Sequence, residues 1–208
     1  YEHLLDKLKE LNVLNRKICI ITDSNVAPLY LKEVSDICSE IASKVISFIF
    51  EAGEKNKNLN IIEQIYEKLI LEKFDRNDFL IALGGGVTGD MTGFAAATYL
   101  RGISFIQLPT TLLSQVDSSI GGKTGVDFNQ YKNMIGAFHQ PSLVYMNLNT
   151  LKTLNDRELC AGMAEVIKHG LIKDSSYYSW IKDHHIRIMN RDYEVLEEMI
   201  YKSCQIKG

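Results

Sequence analysis

Short apolar runs alternate along the first two-thirds of the chain with stretches whose apolar positions recur every three or four residues. Lys17 to Thr22, Val45 to Phe50, Asp78 to Leu83, Ser104 to Leu108 and Ser142 to Met146 are of the first kind. Their near-continuous apolar character predicts strands covered on both faces, as in a parallel sheet. Val26 to Ile41 and Leu59 to Leu71 are of the second kind, with Ile62, Ile65, Tyr66 and Leu69 on one helical face. Such alternation predicts an α/β architecture, a parallel-type sheet covered by helices. Past about residue 150 strand signals stop, and Asp156 to Leu171, Ser175 to Ile181 and Tyr193 to Ile206 all read as helices. The expected organisation is an α/β domain over 1–149, then the first helices of an all-helical domain over 150–208.

The third strand stops on Gly84-Gly85-Gly86, and a small-residue helix, Met91 to Ala97, follows without a gap. Glycines there permit close approach of a ligand to the backbone, and the free N–H groups at the helix start suit a phosphate or pyrophosphate. Gly84 to Gly89 satisfies G-x-G-x-x-G, a pattern that also serves tight packing. Asp90, directly beyond, is a carboxylate that needs a partner of its own. Ligands of open α/β sheets sit beyond the carboxyl ends of the strands. Those ends carry Asp23, Gly53-Glu54, Gly84 to Asp90 and Thr110-Thr111, four turns that converge on one crevice. The ordinary dinucleotide fold places an acidic residue ~20 positions past the glycines. No carboxylate follows Ser104 to Leu108, so Asp23 is the candidate ribose acceptor. Asp23 and Asp90 are expected to serve the dinucleotide rather than the fold.

Composition removes other classes. Hydrophobic residues make up 46% of the 208 and charged residues 24%, the balance of a globular protein with a sizeable core. A net charge of −3 without a basic stripe argues against nucleic acid as a partner. No apolar stretch approaches the ~18 residues of a membrane span, and the N-terminus has no signal-peptide pattern. Cys19, Cys38, Cys160 and Cys204 form no C-x-x-C pair and read as reduced packing residues of a cytoplasmic protein.

Two further segments carry candidate chemistry. From Leu108 to Asp127 hydroxyls and glycines crowd around Lys123 and Asp117. Gly121 to Gly125 only superficially resembles a P-loop, since it follows a helix rather than a strand. Lys123 is then either a surface ion pair or an anion-binding group in a polar pocket. With Lys132-Asn133 and His139-Gln140-Pro141, the segment suits a small, highly oxygenated substrate. In the helix around Glu158 to Gly170, Leu159, Met163, Val166 and Ile167 form the buried stripe. Glu165, Lys168 and His169 lie on one face, either as a solvated ion pair or with Glu165 and His169 sharing a metal. No other cluster is expected to complete that metal site, and His184-His185 reads as a solvated helix end.

Taken together, these segments resemble the 3-dehydroquinate synthase family. The resemblance rests on Gly84 to Asp90, Leu108 to Leu113, Gln115 to Gly125, Asn133 to Pro141 and Ala164 to Gly170, in order and at fitting spacing across essentially the whole chain. It implies a Rossmann-like NAD domain and a helical metal and substrate domain. It places NAD on Asp23, Asn25, Glu54, Lys57, Gly86, Val87, Thr88, Gly89, Asp90, Thr110, Thr111, Lys123, Lys132, Thr150, Leu151, Lys152 and Thr153. It places substrate and catalysis on Asp117, Lys123, Asn133, Lys168 and Arg101, and a divalent metal, zinc or cobalt, on Glu165. Ala52 stands where the family usually has an acidic residue, which leaves it without a side-chain role. The family's other two metal ligands are histidines farther along, so the chain resembles a fragment without turnover of its own.

The implied chemistry is transient NAD-dependent oxidation of a seven-carbon sugar-acid phosphate, loss of phosphate, re-reduction and aldol closure, in a homodimer. Other sugar-phosphate cyclases share the scaffold. Metal-dependent polyol dehydrogenases share it too, but are not expected to carry the Asp117-to-Lys123 block. A NAD-binding module without turnover is the reading from a different class.

Overall fold

The computed structural model describes residues 1–208. Its centre is a five-stranded sheet of β1 (Lys17–Asp23), β2 (Lys44–Phe50), β3 (Phe79–Gly84), β4 (Ser104–Pro109) and β7 (Leu143–Val144). The order is β2-β1-β3-β4-β7, and every neighbouring pair is parallel. The expected strands are therefore all present. β1, β3 and β4 are buried along nearly their whole length, as their apolar runs require. β2 is an edge strand and is half exposed, so its apolar run does not mark cover on both faces.

Two cores lie on opposite faces of this sheet. Alternate side chains of β1 and β3, such as Cys19, Ile21 and Leu80, meet α3 (Leu59–Leu71) and α4 (Gly86–Thr98) on one side. Ile18, Ile20, Phe79 and Ile81 meet α1 (Leu4–Glu10) and α2 (Lys32–Ser39) on the other. An antiparallel hairpin, β5 (Lys123–Phe128) with β6 (Tyr131–Phe138), extends from this body. Periodicity did not reveal it, because β6 is mostly exposed and its apolar residues alternate with Lys132, Asn133 and Gly136.

A third core joins the helices α5 (Asp156–Lys173), α6 (Ser175–Met189) and α7 (Tyr193–Lys207) to Leu112 and Val116. Asn155, Asp174 and Asp192 cap them through side-chain oxygens that accept backbone N–H bonds. α6 runs past Ile181 to Met189, since no breaker intervenes before Asn190-Arg191. His184 is thus inside a helix, stacked on Trp180 at 4.4 Å, rather than at a solvated end.

Gly162 sets how closely α5 approaches the α/β body. A Cβ there would lie 2.6 Å from Leu112 Cβ and 2.7 Å from the Leu113 nitrogen. Gly162→Ala is expected to destabilise the protein by about 1–3 kcal/mol, despite the better helix propensity of alanine. Urea unfolding measures this, and an unchanged midpoint would contradict the close contact.

Candidate active site

The crevice lies where the strands end. It has a volume of about 630 Å³ and is lined from the β1, β2, β3 and β4 termini and from the start of α5. The glycine turn builds its floor. α4 begins at Gly86, five residues earlier than the apolar pattern indicated, so Gly86 to Asp90 form its first turn. The first backbone bond back into this helix runs from Gly89 to the Gly85 carbonyl, and no side chain caps it. The N–H groups of Gly86, Val87 and Thr88 are thus left for a ligand. A Cβ on Gly86 would stand 3.0 Å from Ser118 Oγ and would fill this cradle.

Asp23 sits beside the cradle. Its Oδ1 accepts the N–H groups of Asn25 and Val26, and its Oδ2 accepts the Thr88 hydroxyl at 3.3 Å. It therefore shapes the β1 turn as well as facing the crevice. Asp90 has an equally mixed position. Its carboxylate pairs at 2.6 Å with Lys57, whose side chain is 4% exposed. Lys57 Nζ also donates to Asn133 Oδ1 on the hairpin. Burial raises the Asp90 carboxyl above its usual range, and the nearby Lys57 ammonium only partly offsets this. Asp90 therefore has a partner within the fold as well as a place in the crevice, so its loss is expected to affect stability in addition to the ligand.

Asn25, Glu54, Thr110, Thr111, Thr150 and Thr153 also line the crevice, with Val87, Thr88 and Lys57. Five residues expected there do not. Gly89 faces β4, where a Cβ would meet Gln107 Oε1 at 3.0 Å, so its role is helix–strand packing. Leu151 is fully buried in the third core, because the turn Leu148–Lys152 directs Thr150 to the crevice instead. Lys152 projects to solvent from the same turn. Lys132 stands at the rim, paired with Glu54 at 2.9 Å. Lys123 faces a second cavity. Ala52 does line the crevice, together with Ser118, Asn155 and Glu158, which the sequence did not single out. The spacing Asn155-x-x-Glu158 was a legible cap signal, and Asn155 Oδ1 does accept the Glu158 N–H.

The second cavity, about 500 Å³, lies between the hairpin and the turn Ser114–Ser118. Lys123, Asn133, Asp117 and Ser118 line it, with Lys207 from the end of α7. Lys207 pairs with Asp117 at 2.6 Å. Lys123 has no ion-pair or hydrogen-bond partner in the protein, which leaves its charge free for an anion. Asp90, Asp117 and Ser118 line both cavities, so the two meet there.

Beside Asp117, α5 presents Glu165 and His169. Ligand atoms of Asp117, Glu165 and His169 all lie within 4.8 Å of one another. The sequence supplied no third donor, because Asp117 reaches this position only through packing of α5 against the Ser114–Ser118 turn. His169 is 5% exposed, and neither ring nitrogen has a hydrogen-bond partner. Burial lowers its pKa below the usual imidazole value, the Glu165 carboxylate opposing. Lys168 is exposed and pairs with Glu165 at 2.8 Å, outside the cavity wall. Arg101 is brought to neither cavity. It follows α4, three residues before β4 begins, and so lies at the amino ends of the strands, opposite the crevice.

Residues 47–161 match the family model described as 3-dehydroquinate synthase N-terminal, and residues 162–208 match its C-terminal counterpart. The chain belongs to the 3-dehydroquinate synthase family. A 3-dehydroquinate synthase of Acetivibrio thermocellus is 53% identical over 94% of this chain and 54% of its own length. One from Nitrosospira multiformis is 48% identical over the whole chain and 55% of its own length. The chain thus spans about half the length of the curated 3-dehydroquinate synthases it matches.

Among solved structures, the 2-epi-5-epi-valiolone synthase of Streptomyces hygroscopicus, with NAD+ and Zn2+ bound, is similar at a TM-score of 0.89 and 26% identity, over 98% of this chain and 57% of that one. A 2-deoxy-scyllo-inosose synthase with carbaglucose-6-phosphate, NAD+ and Co2+ gives 0.76 and 26%, over 98% and 60%. The residues present suit a divalent ion: the Asp117 and Glu165 carboxylates and the unpartnered His169 ring gather within 4.8 Å of one another, whether as ligands or as support for a ligand. They also suit a dinucleotide, whose pyrophosphate matches the uncapped glycine turn.

Proposed function

We propose that the chain is the NAD-binding half, with the first catalytic helices, of a 3-dehydroquinate synthase. The full-length enzyme would convert 3-deoxy-D-arabino-heptulosonate 7-phosphate to 3-dehydroquinate and phosphate, a phosphorus–oxygen lyase reaction of aromatic amino-acid biosynthesis. The observation that carries this reading is the junction of the two cavities at Asp90, Asp117 and Ser118. A dinucleotide in the crevice and an oxygenated anion in the second cavity would meet there, as hydride transfer requires. The 53% identity to a curated synthase favours this substrate over those of other cyclases.

The bound dinucleotide supplies the hydride acceptor, and the divalent ion a Lewis acid for the substrate hydroxyl. The protein's own groups bind and orient. The N–H groups of Gly86 to Thr88 hold the pyrophosphate, and Asp23 and the Thr110-Thr111 hydroxyls face the remaining cofactor. Lys123 holds the anionic end of the substrate, and Asn133 donates to its oxygens from a position fixed by Lys57. Glu165 supplies one arm of the metal site. Lys168, released from Glu165, would reach the same region.

Three coarser points belong to the same reading. A division near residue 150 is supported by the third core, which is drawn mainly from the helices after residue 150 and docks on Leu112 and Val116. A homodimer is the coarser expectation of the family, and the exposed Phe128 and Tyr131 at the hairpin tip are apolar surface that a partner could cover. The cytoplasm is supported by four free thiols, and no helix is long and apolar enough to cross a membrane. Calorimetric titration with NAD tests the cofactor half directly. One NAD per chain is expected, and absence of binding to the full-length protein would overturn the reading.

A further inference from the structure

His169 has no role in the family resemblance beyond its position beside Glu165, yet its placement is costly. It lies on the buried face of α5 with Leu159, Met163 and Val166. A buried imidazole that makes no hydrogen bond forfeits its hydration without return. The ring is nevertheless aimed. Its Nε2 stands 3.3 Å from Glu165 Oε1, one helical turn away, in near-bonding geometry.

Glu165 Oε1 already has a partner in Lys168, at 2.8 Å. The two neighbours differ in what a cation would do to them. An ammonium beside a carboxylate is repelled when a divalent ion takes that carboxylate, and Lys168 is 55% exposed and free to swing away. An imidazole ring, which need not carry a charge to donate, escapes that penalty. From 3.3 Å it can come to donate to one carboxylate oxygen while the other faces the ion. Histidine and carboxylate are then paired as around many metal sites, with the carboxylate as ligand and the imidazole behind it.

We propose that His169 is a positioning residue whose Nε2–H holds the Glu165 carboxylate so that its other oxygen faces a divalent cation. The inference deepens the proposed metal site and rests on that reading. His169 does not touch the substrate, and Asp117, the third member of the cluster, stays available to the substrate side.

The test measures Zn2+ affinity of the full-length protein by competition with a chelator, beside NAD affinity and melting temperature. Three variants separate the roles. His169→Gln places an amide donor near the Nε2 position. His169→Asn carries the same group but is one methylene too short, and His169→Leu removes it. The Asn and Leu variants are expected to bind Zn2+ about 10–100-fold more weakly, as loss of such supporting bonds does elsewhere. The Gln variant should stay close to wild type, with NAD affinity unchanged in all three. Should the Leu variant not fold, the Asn and Gln pair carries the comparison. Wild-type Zn2+ affinity in the Asn variant would overturn the proposal. So would a Gln variant as weak as Asn, since that would make His169 a direct ligand. A wild-type protein that binds no divalent ion would instead remove the metal reading itself.

Discussion

Asp90→Ala is expected to cost the protein about 3 kcal/mol of stability as well as cofactor affinity. The substitution removes the carboxylate from a Lys57 ammonium that is 4% exposed, and it leaves that charge inside the protein with only the Asn133 side-chain oxygen. The pair itself need not be a net gain, and the raised Asp90 pKa says that burial outweighs the attraction. Breaking it is a different matter, because the lysine cannot follow its lost partner into water. For a chain of this size the loss amounts to roughly 6–12 °C in melting temperature. Asp90→Asn keeps an acceptor for Lys57 and should lose less. Thermal melting without ligand, together with NAD titration, measures both effects. An unchanged melting temperature for Asp90→Ala would show that Lys57 is solvated and that Asp90 serves only the ligand.

Lys123→Ala in the full-length protein is expected to lower kcat/KM by at least about 100-fold, the scale set by loss of one well-placed donor to a developing or bound anion. The reason is its isolation. Lys57, Lys132, Lys168 and Lys207 around the two cavities all have carboxylate partners. Lys123 opens β5 at the wall of the second cavity and has none. A lysine there that paired only on the surface would contribute about 0–1 kcal/mol and could be removed without consequence. Since Lys123 is absent from the dinucleotide crevice, NAD affinity should be retained. Steady-state phosphate release and NAD titration separate these outcomes. Near-normal turnover would reject Lys123 as the anion-binding group, and an equal loss of NAD affinity would move it to the cofactor.

Much of this was legible before any coordinates. Continuous apolar runs located every strand of the parallel sheet; for β1, β3 and β4 this is because a strand buried on both faces has no polar register, whereas β2 carries the same run at a half-exposed edge. Convergence of Asp23, Glu54, the glycine turn and Thr110-Thr111 followed from their common position at strand ends. What the sequence did not show depended on contacts between distant segments. The hairpin escaped notice because Tyr131 to Phe138 is largely exposed and its alternation is broken by Asn133 and Gly136. Asp117 joined Glu165 and His169 only when α5 docked on the Ser114–Ser118 turn, forty-odd residues upstream. Arg101 was placed by the family resemblance alone, and within this chain α4 carries it to the far end of the sheet, away from both cavities. Leu151 fell out for a local reason, since neighbouring positions of a tight turn cannot all face one crevice.

The central claim is that one bound NAD is reduced and reoxidised beside a sugar-acid phosphate at the junction of the two cavities. Its most direct measurement follows inorganic phosphate, 3-dehydroquinate and NADH together in the full-length protein supplied with 3-deoxy-D-arabino-heptulosonate 7-phosphate, NAD and Zn2+ or Co2+. The account predicts phosphate and dehydroquinate in equal amounts over many turnovers, with no accumulation of NADH. Stoichiometric NADH without phosphate release, as from a dehydrogenase, would contradict it.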